Sequence, residues 1–327
     1  MGRKGLFCIA SPLQAICAYE AMFEYDITEK SVIVIDDGQR LSQIDSFLSS
    51  KSIPYTICKF KKSAWARFLI FFKSLFSIRG SFDYLFLGNY LSFSMKLQFL
   101  PQLKCRGTIV YIDDGTSTIT IANEKIQYSL PMFLRSRWCN IIIRVRSISD
   151  NHFFTFFSDD INRADWDVKK NNLHHTINTL FTDNLCNKYV LFVGTATKIY
   201  CDYLGVELNE FLPRLEALLK DILTFCNNII FIPHGRDNCH EISEMCSRLG
   251  VIYKKIDECV ELFVVGNGRP ERIYGFSSTA LKTLHIMFPC VPIYNVVIKD
   301  GRNKNGMEEY LNLADVYDKN GITKMFL

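Results

Sequence analysis

Short apolar runs rich in β-branched and aromatic residues alternate along this chain with longer segments of helical period, and no other feature constrains its fold as tightly. That alternation is the signature of parallel α/β units, in which each strand is followed by a crossover helix. In the first half it predicts strands at 5–10, 31–35, 55–59, 84–87 and 108–112, with helices at 13–25, 41–50, 62–76 and 93–100. A further strand over 141–145 is expected to close this series. Residues 147–187 change character, with TFFSDDINRADWDVKKNNLHHT polar and irregular. A second series then predicts strands at 189–193, 229–232, 251–254, 272–274 and 291–294, and a helix over 212–225.

The reading is therefore an N-terminal Rossmann-like domain over 1–150, a connection over 151–187 and a C-terminal Rossmann-like domain over 188–327. The 327 residues leave room for two domains of ordinary size. With 48% hydrophobic and 22% charged residues, the chain can bury sizeable cores and is not disordered. A net charge of +4 is too mild to argue for nucleic acid, which is not expected as a partner. Neither a solenoid-like repeat nor a low-complexity tract is present.

Twelve cysteines are scattered through apolar segments with no CxxC and no framework spacing. Buried free thiols in a reducing compartment are expected, and the same spacing argues against a structural zinc site. The opening MGRKGLFCIASPL has a short apolar stretch that continues as a strand, unlike a signal peptide. No window approaches a transmembrane helix. Residues 59–80, KFKKSAWARFLIFFKSLFSIRG, set Lys61, Lys62, Arg67, Lys73 and Arg79 among Trp65, Phe68, Leu69, Phe71, Phe72, Leu75 and Phe76, without an acid. The stretch reads equally as a helix lying in a membrane interface and as a crossover helix packed on a sheet.

The usual cofactor fingerprints are missing. Ser11-Pro12-Leu13-Gln14 follows the first strand where GxGxxG would stand, Gly266-Asn267-Gly268 lacks its third glycine, and there is no phosphate-binding P-loop. Four stretches remain as candidates. Ile-Asp-Asp-Gly occurs twice, at 35–38 and 112–115. Adjacent carboxylates on an extended chain point in opposite directions, which suits one general base with a supporting partner better than a metal site. In an isolated copy the pair equally reads as a strand end with an Asp cap. FIPHGRD puts His234, Gly235 and Arg236 directly after a buried strand, where open α/β sheets bind ligands. YGFSSTALKT puts Ser277, Ser278 and Thr279 where a strand turns into a helix, as N-caps or as phosphate donors. FVGTATK ends another strand in Gly194 and Thr195, a loop suited to close ligand approach. Together these place phosphate donors in the second half and carboxylates in the first.

Four of these motifs, in order, are similar to those of bacterial sialyltransferases. SPLQ at 11–14 resembles the start of the lipooligosaccharide sialyltransferase family, and IDDGTS at 112–117 resembles an acidic-acidic-Gly motif shared with polysialyltransferases. PHGRD at 233–237 stands where those enzymes carry a His-Pro motif, with Gly235 replacing the proline, and Ser277–Thr279 resembles their Ser-Ser/Thr motif. The resemblance implies an α/β, GT-B-like fold, with two Rossmann-like domains whose parallel sheets face a central cleft. It implies an inverting transfer from CMP-sialic acid to a galactose-type terminus of a bacterial surface glycan, with no cofactor and no metal. By that likeness Asp113 is the base, with Asp114 and Gly115 shaping its turn. His234 assists the departing phosphate, and Ser277, Ser278 and Thr279 donate to the phosphate or donor carboxylate. Arg236 pairs with an anion or braces the loop; Gly194, Thr195 and Gln14 are supporting contacts.

Topology separates the twin motifs. In a sheet of order 3-2-1-4-5 the ligand crevice opens between strands 1 and 4. Asp36 and Asp37 follow strand 2 into an ordinary helix start, whereas Asp113 and Asp114 follow the fifth strand into Thr116, Ser117 and Thr118. The expected partners are a CMP-sugar, a glycan or glycolipid acceptor and the inner face of the bacterial cytoplasmic membrane through 59–80, with a homodimer left open. The expected location is cytoplasmic, with peripheral attachment to that membrane left open. Alternatives are a polysialyltransferase, another CMP-acid-sugar transferase, and a silent nucleotide-sugar-binding module of an envelope-assembly complex.

Overall fold

Leu6, Phe7, Cys8 and Ile9 are all buried although successive strand side chains point to opposite faces, so β1 (Arg3–Ile9) is covered on both sides. A strand of this kind belongs inside a parallel sheet with helices on both faces. The computed structural model describes residues 2–35, 40–58, 80–113, 115, 117–123, 129–180 and 188–327, and divides into two units, Met1–Asn178 and Thr179–Leu327.

In the first unit β1 leads to α1 (Pro12–Glu24), β2 (Ile27–Ile35), α2 (Leu41–Ser50), β3 (Thr56–Cys58), β4 (Phe82–Leu87), α3 (Phe93–Phe99) and β5 (Leu103–Ile112). Then come α4 (Ser117–Asn123), α5 (Leu130–Val145), β6 (Ser149–Thr155), β7 (Asp167–Lys170) and α6 (His174–Leu180). The described strands pair in parallel, in the order β3-β2-β1-β4-β5-β6-β7. α1 starts where local chemistry says it should. Ser11 is its N-cap, with Oγ accepting from Gln14 N at 3.2 Å, and Pro12 fills a position whose N–H needs no partner.

Two expectations need correction here. Residues 141–145 are the last turn of α5, not a strand. Ile141-Ile142-Ile143 looks like a strand because it is β-branched, yet only Cys139 and Ile142 of α5 are buried, three positions apart on one helical face. Tertiary packing has overridden local propensity. The stretch expected to connect the domains instead supplies β6 and β7, the last two strands of the first sheet. Its polar residues hide a short apolar centre, Phe153 and Phe154, both buried beside β5.

The second unit runs β8 (Val190–Val193), α7 (Thr197–Leu204), α8 (Leu208–Leu223), β9 (Ile229–Ile232), α9 (His240–Leu249), β10 (Ile252–Tyr253) and α10 (Val260–Asn267). It continues through β11 (Arg272–Gly275), α11 (Thr279–Met287), β12 (Ile293–Val297), α12 (Lys304–Lys319) and β13 (Thr323–Phe326). Its strands are also parallel, in the order β10-β9-β8-β11-β12-β13. α8 begins four residues before the expected 212, because Glu207 and Glu210 form a capping box that carries the helix through Pro213. Phe192, Phe211, Phe231 and Leu219 anchor the core between sheet and helices.

The described cysteines are free thiols, most of them buried. Among the described residues no helix is long and apolar enough to cross a membrane. The expected interfacial helix over 59–80 lies, Gly80 apart, outside the described residues, as do Asp36 and Asp37.

Candidate active site

Both sheets change direction beside their first strand, between β1 and β4 in one unit and between β8 and β11 in the other. At such points the loops leaving the carboxyl ends of the strands diverge and open a crevice. The candidate residues fall at the ends of these strands and of their neighbours β5 and β9.

In the first unit Gln14 ties the crevice walls together. Its Oε1 accepts from Ala10 N at 2.7 Å and its Nε2 donates to Gly88 O at 3.4 Å, linking the ends of β1 and β4. Gly88 has no room for a side chain, since a Cβ there would lie 2.0 Å from Gln14 Cδ.

Asp113 follows β5 and is 1% exposed. One carboxylate oxygen accepts from Thr155 Oγ1 at 2.6 Å and Thr118 Oγ1 at 3.1 Å; the other accepts from Phe156 N at 2.8 Å. Three donors on a buried carboxylate hold it fixed. That geometry makes Asp113 an anchor joining the β5 loop to the end of β6 and to α4. Gly115 takes a left-handed φ of 81°, so the turn behind Asp113 does depend on glycine. Asp114 lies outside the described residues. Thr155 and Phe156 belong to the site and were missed, because the strand carrying them was read as a connection. The apolar run of Phe153, Phe154, Phe156 and Phe157 was the available signal.

Behind β5, Lys96 is 2% exposed with its ammonium 4.6–5.2 Å from the rings of Tyr90, Phe93 and Tyr111 and 3.4 Å from Asp150. The Tyr111 hydroxyl donates to the same carboxylate. Burial, then the Asp150 charge, push that phenol well above its ordinary range. Lys96 thus braces α3 against β5 and β6.

In the second unit the candidates leave three neighbouring strands. Gly194 follows β8, its N donates to Ile232 O at 2.7 Å, and a Cβ would meet the Phe231 ring at 2.9 Å. Half-buried Thr195 follows it. After β9, half-buried His234 accepts from Arg236 N at Nδ1, 3.1 Å, so a neutral imidazole carries its proton on Nε2. Gly235 and Arg236 are exposed in the turn. Asp237, 6% exposed, fastens this loop to the preceding one: Oδ1 accepts from Thr197 N at 3.2 Å and Oδ2 from Thr197 Oγ1 at 3.1 Å.

Ser277 follows β11 with a φ of 39°, unusual for a residue with a side chain. Its N and Oγ both donate to Oδ1 of Asn295 on β12, at 2.7 and 3.1 Å. Asn295 is fully buried, and among the described residues its Nδ2 has no hydrogen-bond partner. Ser278 is the N-cap of α11, accepting from Ala280 N at 3.3 Å, and Thr279 opens that helix. Sequence reading missed Asn295 and Asp237, since neither stands in the motif it serves in a way that marks it as a clamp. The two units thus bring Gly194, Thr195, His234, Gly235, Arg236, Ser277, Ser278 and Thr279 to one sheet's carboxyl edge, and Gln14, Asp113 and Gly115 to the other's. Among the described residues no cluster of three or more His, Cys, Asp or Glu side chains is placed to hold a metal ion.

No family model matches the chain and no curated protein matches it in sequence. Solved structures match it in fold. The GT-B domain of a sialyltransferase from Photobacterium damselae superposes with a TM-score of 0.53 at 13% identity, covering 100% of both chains. A 2,6-sialyltransferase from Photobacterium sp. JT-ISH-224, solved with CMP and lactose, gives 0.51 at 10% identity, covering 99% of this chain and 78% of that one. A putative UDP-N-acetylglucosamine 2-epimerase from Listeria monocytogenes gives 0.53 at 12% identity, covering 99% and 92%. The shared property at these identities is the fold: two parallel α/β units, as in GT-B proteins.

Proposed function

We propose that this chain is a glycosyltransferase that moves sialic acid from CMP-sialic acid to a galactose-type terminus of a bacterial surface glycan, inverting the anomeric centre without a metal. One observation carries the reading. Three phosphate-type segments, recognised separately in the sequence, leave the carboxyl ends of the adjacent strands β9, β8 and β11.

Each group in that row has a chemical use. The N-terminus of α11 offers a favourable dipole to a phosphate, beside the hydroxyls of Ser277 and Thr279. His234, with its proton on Nε2, can donate to the same departing phosphate. Arg236 is exposed in the same turn as a cation for the donor's charges. Gly194 lets the loop carrying Thr195 pack against β9, since a Cβ there would meet Phe231 and Ile232, and so sets Thr195 beside the β9 turn.

The acceptor hydroxyl must lose a proton as the sugar leaves CMP, and the acidic pair at 113–114 is the base-bearing motif of the first unit. Because Asp113 is saturated by Thr118, Thr155 and Phe156, we assign it the anchoring role and assign proton abstraction to Asp114. A lipid-linked acceptor would set the reaction at the inner face of the cytoplasmic membrane.

Donor choice is the experiment that tests this reading. The purified protein is offered CMP-sialic acid, UDP-N-acetylglucosamine and ADP-heptose separately, each with a galactoside panel. Release of CMP alone is expected. Release of UDP, or epimerisation of the UDP-sugar, overturns the sialyl reading, and tight CMP binding without turnover marks a silent binding module.

A further inference from the structure

α5 carries an outward face that its own unit leaves uncovered. Leu130, Phe133, Leu134, Ile141 and Val145 are 71%, 42%, 48%, 46% and 64% exposed. They are five of the twelve large apolar side chains exposed among the described residues, and no other described helix holds more than two. Exposed apolar residues scattered singly need no explanation, but a contiguous set marks an interaction surface. Leu130, Leu134, Arg137, Ile141 and Val145 recur at intervals of three or four, so they form one stripe along the helix. Phe133 flanks the stripe, and the Arg137 guanidinium lies 5.2 Å over its ring.

Charge decides what covers it. The sixteen residues of α5 include Arg135, Arg137 and Arg144 and no acid. Arg137 and Arg144 are exposed and lie within the apolar face rather than at its rim. A second copy packed on this stripe would bury those guanidinium groups without carboxylates from the same helix, which is strongly unfavourable. A lipid surface has the opposite character: phosphate headgroups take the arginines while the apolar side chains enter the acyl boundary.

We infer that α5 docks this protein onto an anionic membrane surface, lying in the interface with Leu130, Phe133, Leu134, Ile141 and Val145 inserted and Arg137 and Arg144 on lipid phosphates. Neither the 59–80 stretch nor the transfer chemistry proposed above enters this docking, so it holds or fails without either.

Vesicle co-sedimentation of the full chain tests it, using phosphatidylglycerol–phosphatidylethanolamine vesicles against phosphatidylcholine alone. The parent should bind the anionic vesicles, more weakly as salt rises, and bind the neutral ones little. Phe133→Asp with Ile141→Asp should lower the bound fraction about tenfold, with Tm and far-UV circular dichroism unchanged because both positions are exposed. If that pair fails to fold, Arg137→Gln with Arg144→Gln should still weaken binding and flatten its salt dependence. No binding by the parent, or unchanged binding by both pairs, overturns the proposal. A dimeric parent made monomeric by the aspartates, without vesicle binding, overturns it in favour of a second copy.

Discussion

Asp113 and Asn295 do comparable work in the two units: each is buried, and each fixes a loop at the end of a neighbouring strand. Their substitution should read out differently. Asp113→Asn keeps the shape but turns a charged acceptor into a neutral amide facing three donors, costing about 2–3 kcal/mol. That should lower the Tm of the first unit by roughly 5–10 °C, measured by calorimetry. Asp114→Asn should abolish turnover with Tm unchanged; an active Asp114→Asn returns the base to Asp113. Asn295→Ala releases Ser277 from its left-handed φ, but also removes a buried amide nitrogen that has no partner. Its effect on stability should therefore be small, while KM for the donor should rise about tenfold if the Ser277 loop binds phosphate, the equivalent of roughly 1.4 kcal/mol. Glu261 adds a pH-dependent residue. The Thr283 hydroxyl has one proton for two acceptors, Glu261 Oε1 at 2.5 Å and Ala280 O at 3.0 Å, and a protonated Glu261 relieves the shortage by donating itself. Burial raises this carboxyl above its ordinary value. The folded state then binds the proton more tightly than the unfolded one. Its stabilising contribution is full below the unfolded pKa and is lost as pH rises through the folded one. Unfolding in urea across that window should show stability falling with pH, and Glu261→Gln should remove the slope.

At the scale of elements, most of the skeleton was legible because parallel strands buried on both faces leave continuous apolar runs. VLFV and IIFI (Val190–Val193 and Ile229–Ile232) admit few other readings. The failures share a physical cause. α5 hid behind a β-branched triplet whose helical periodicity emerges only from which side chains are buried; β6 hid because its apolar centre is short and set among polar residues, and β7 because an edge strand buries little. Asp113 stood out in the sequence as a candidate base but not as an anchor, since its partners Thr155 and Phe156 are about forty positions away and joined to it only by strand pairing. Lys96 was invisible for the same reason: nothing local says that α3 will press a lysine against three rings and Asp150. Lys96→Met should destabilise the first unit by about 2–3 kcal/mol in urea unfolding, below the loss for a fully enclosed pair because Asp150 keeps 18% exposure. Replacing Asp150 by Asn in the same chain should recover part of that loss.

For the whole molecule, the proposed reaction would divide labour between two parallel sheets, with the donor's phosphate met at the carboxyl edge of the second and the acidic motif standing at that of the first. Fold alone does not select the reaction, since a sialyltransferase domain and an epimerase match the chain equally in TM-score. The proposed choice of reaction rests on the ordered motifs and on the side chains that hold them. The most direct measurement is the anomeric configuration, by NMR, of the product formed from CMP-sialic acid and a terminal galactoside in the presence of EDTA. The account predicts one sialoside per CMP released, inverted at the anomeric carbon, and no product from His234→Ala at a comparable rate. A retained configuration, a strict metal requirement, or free sialic acid as the sole product would contradict it.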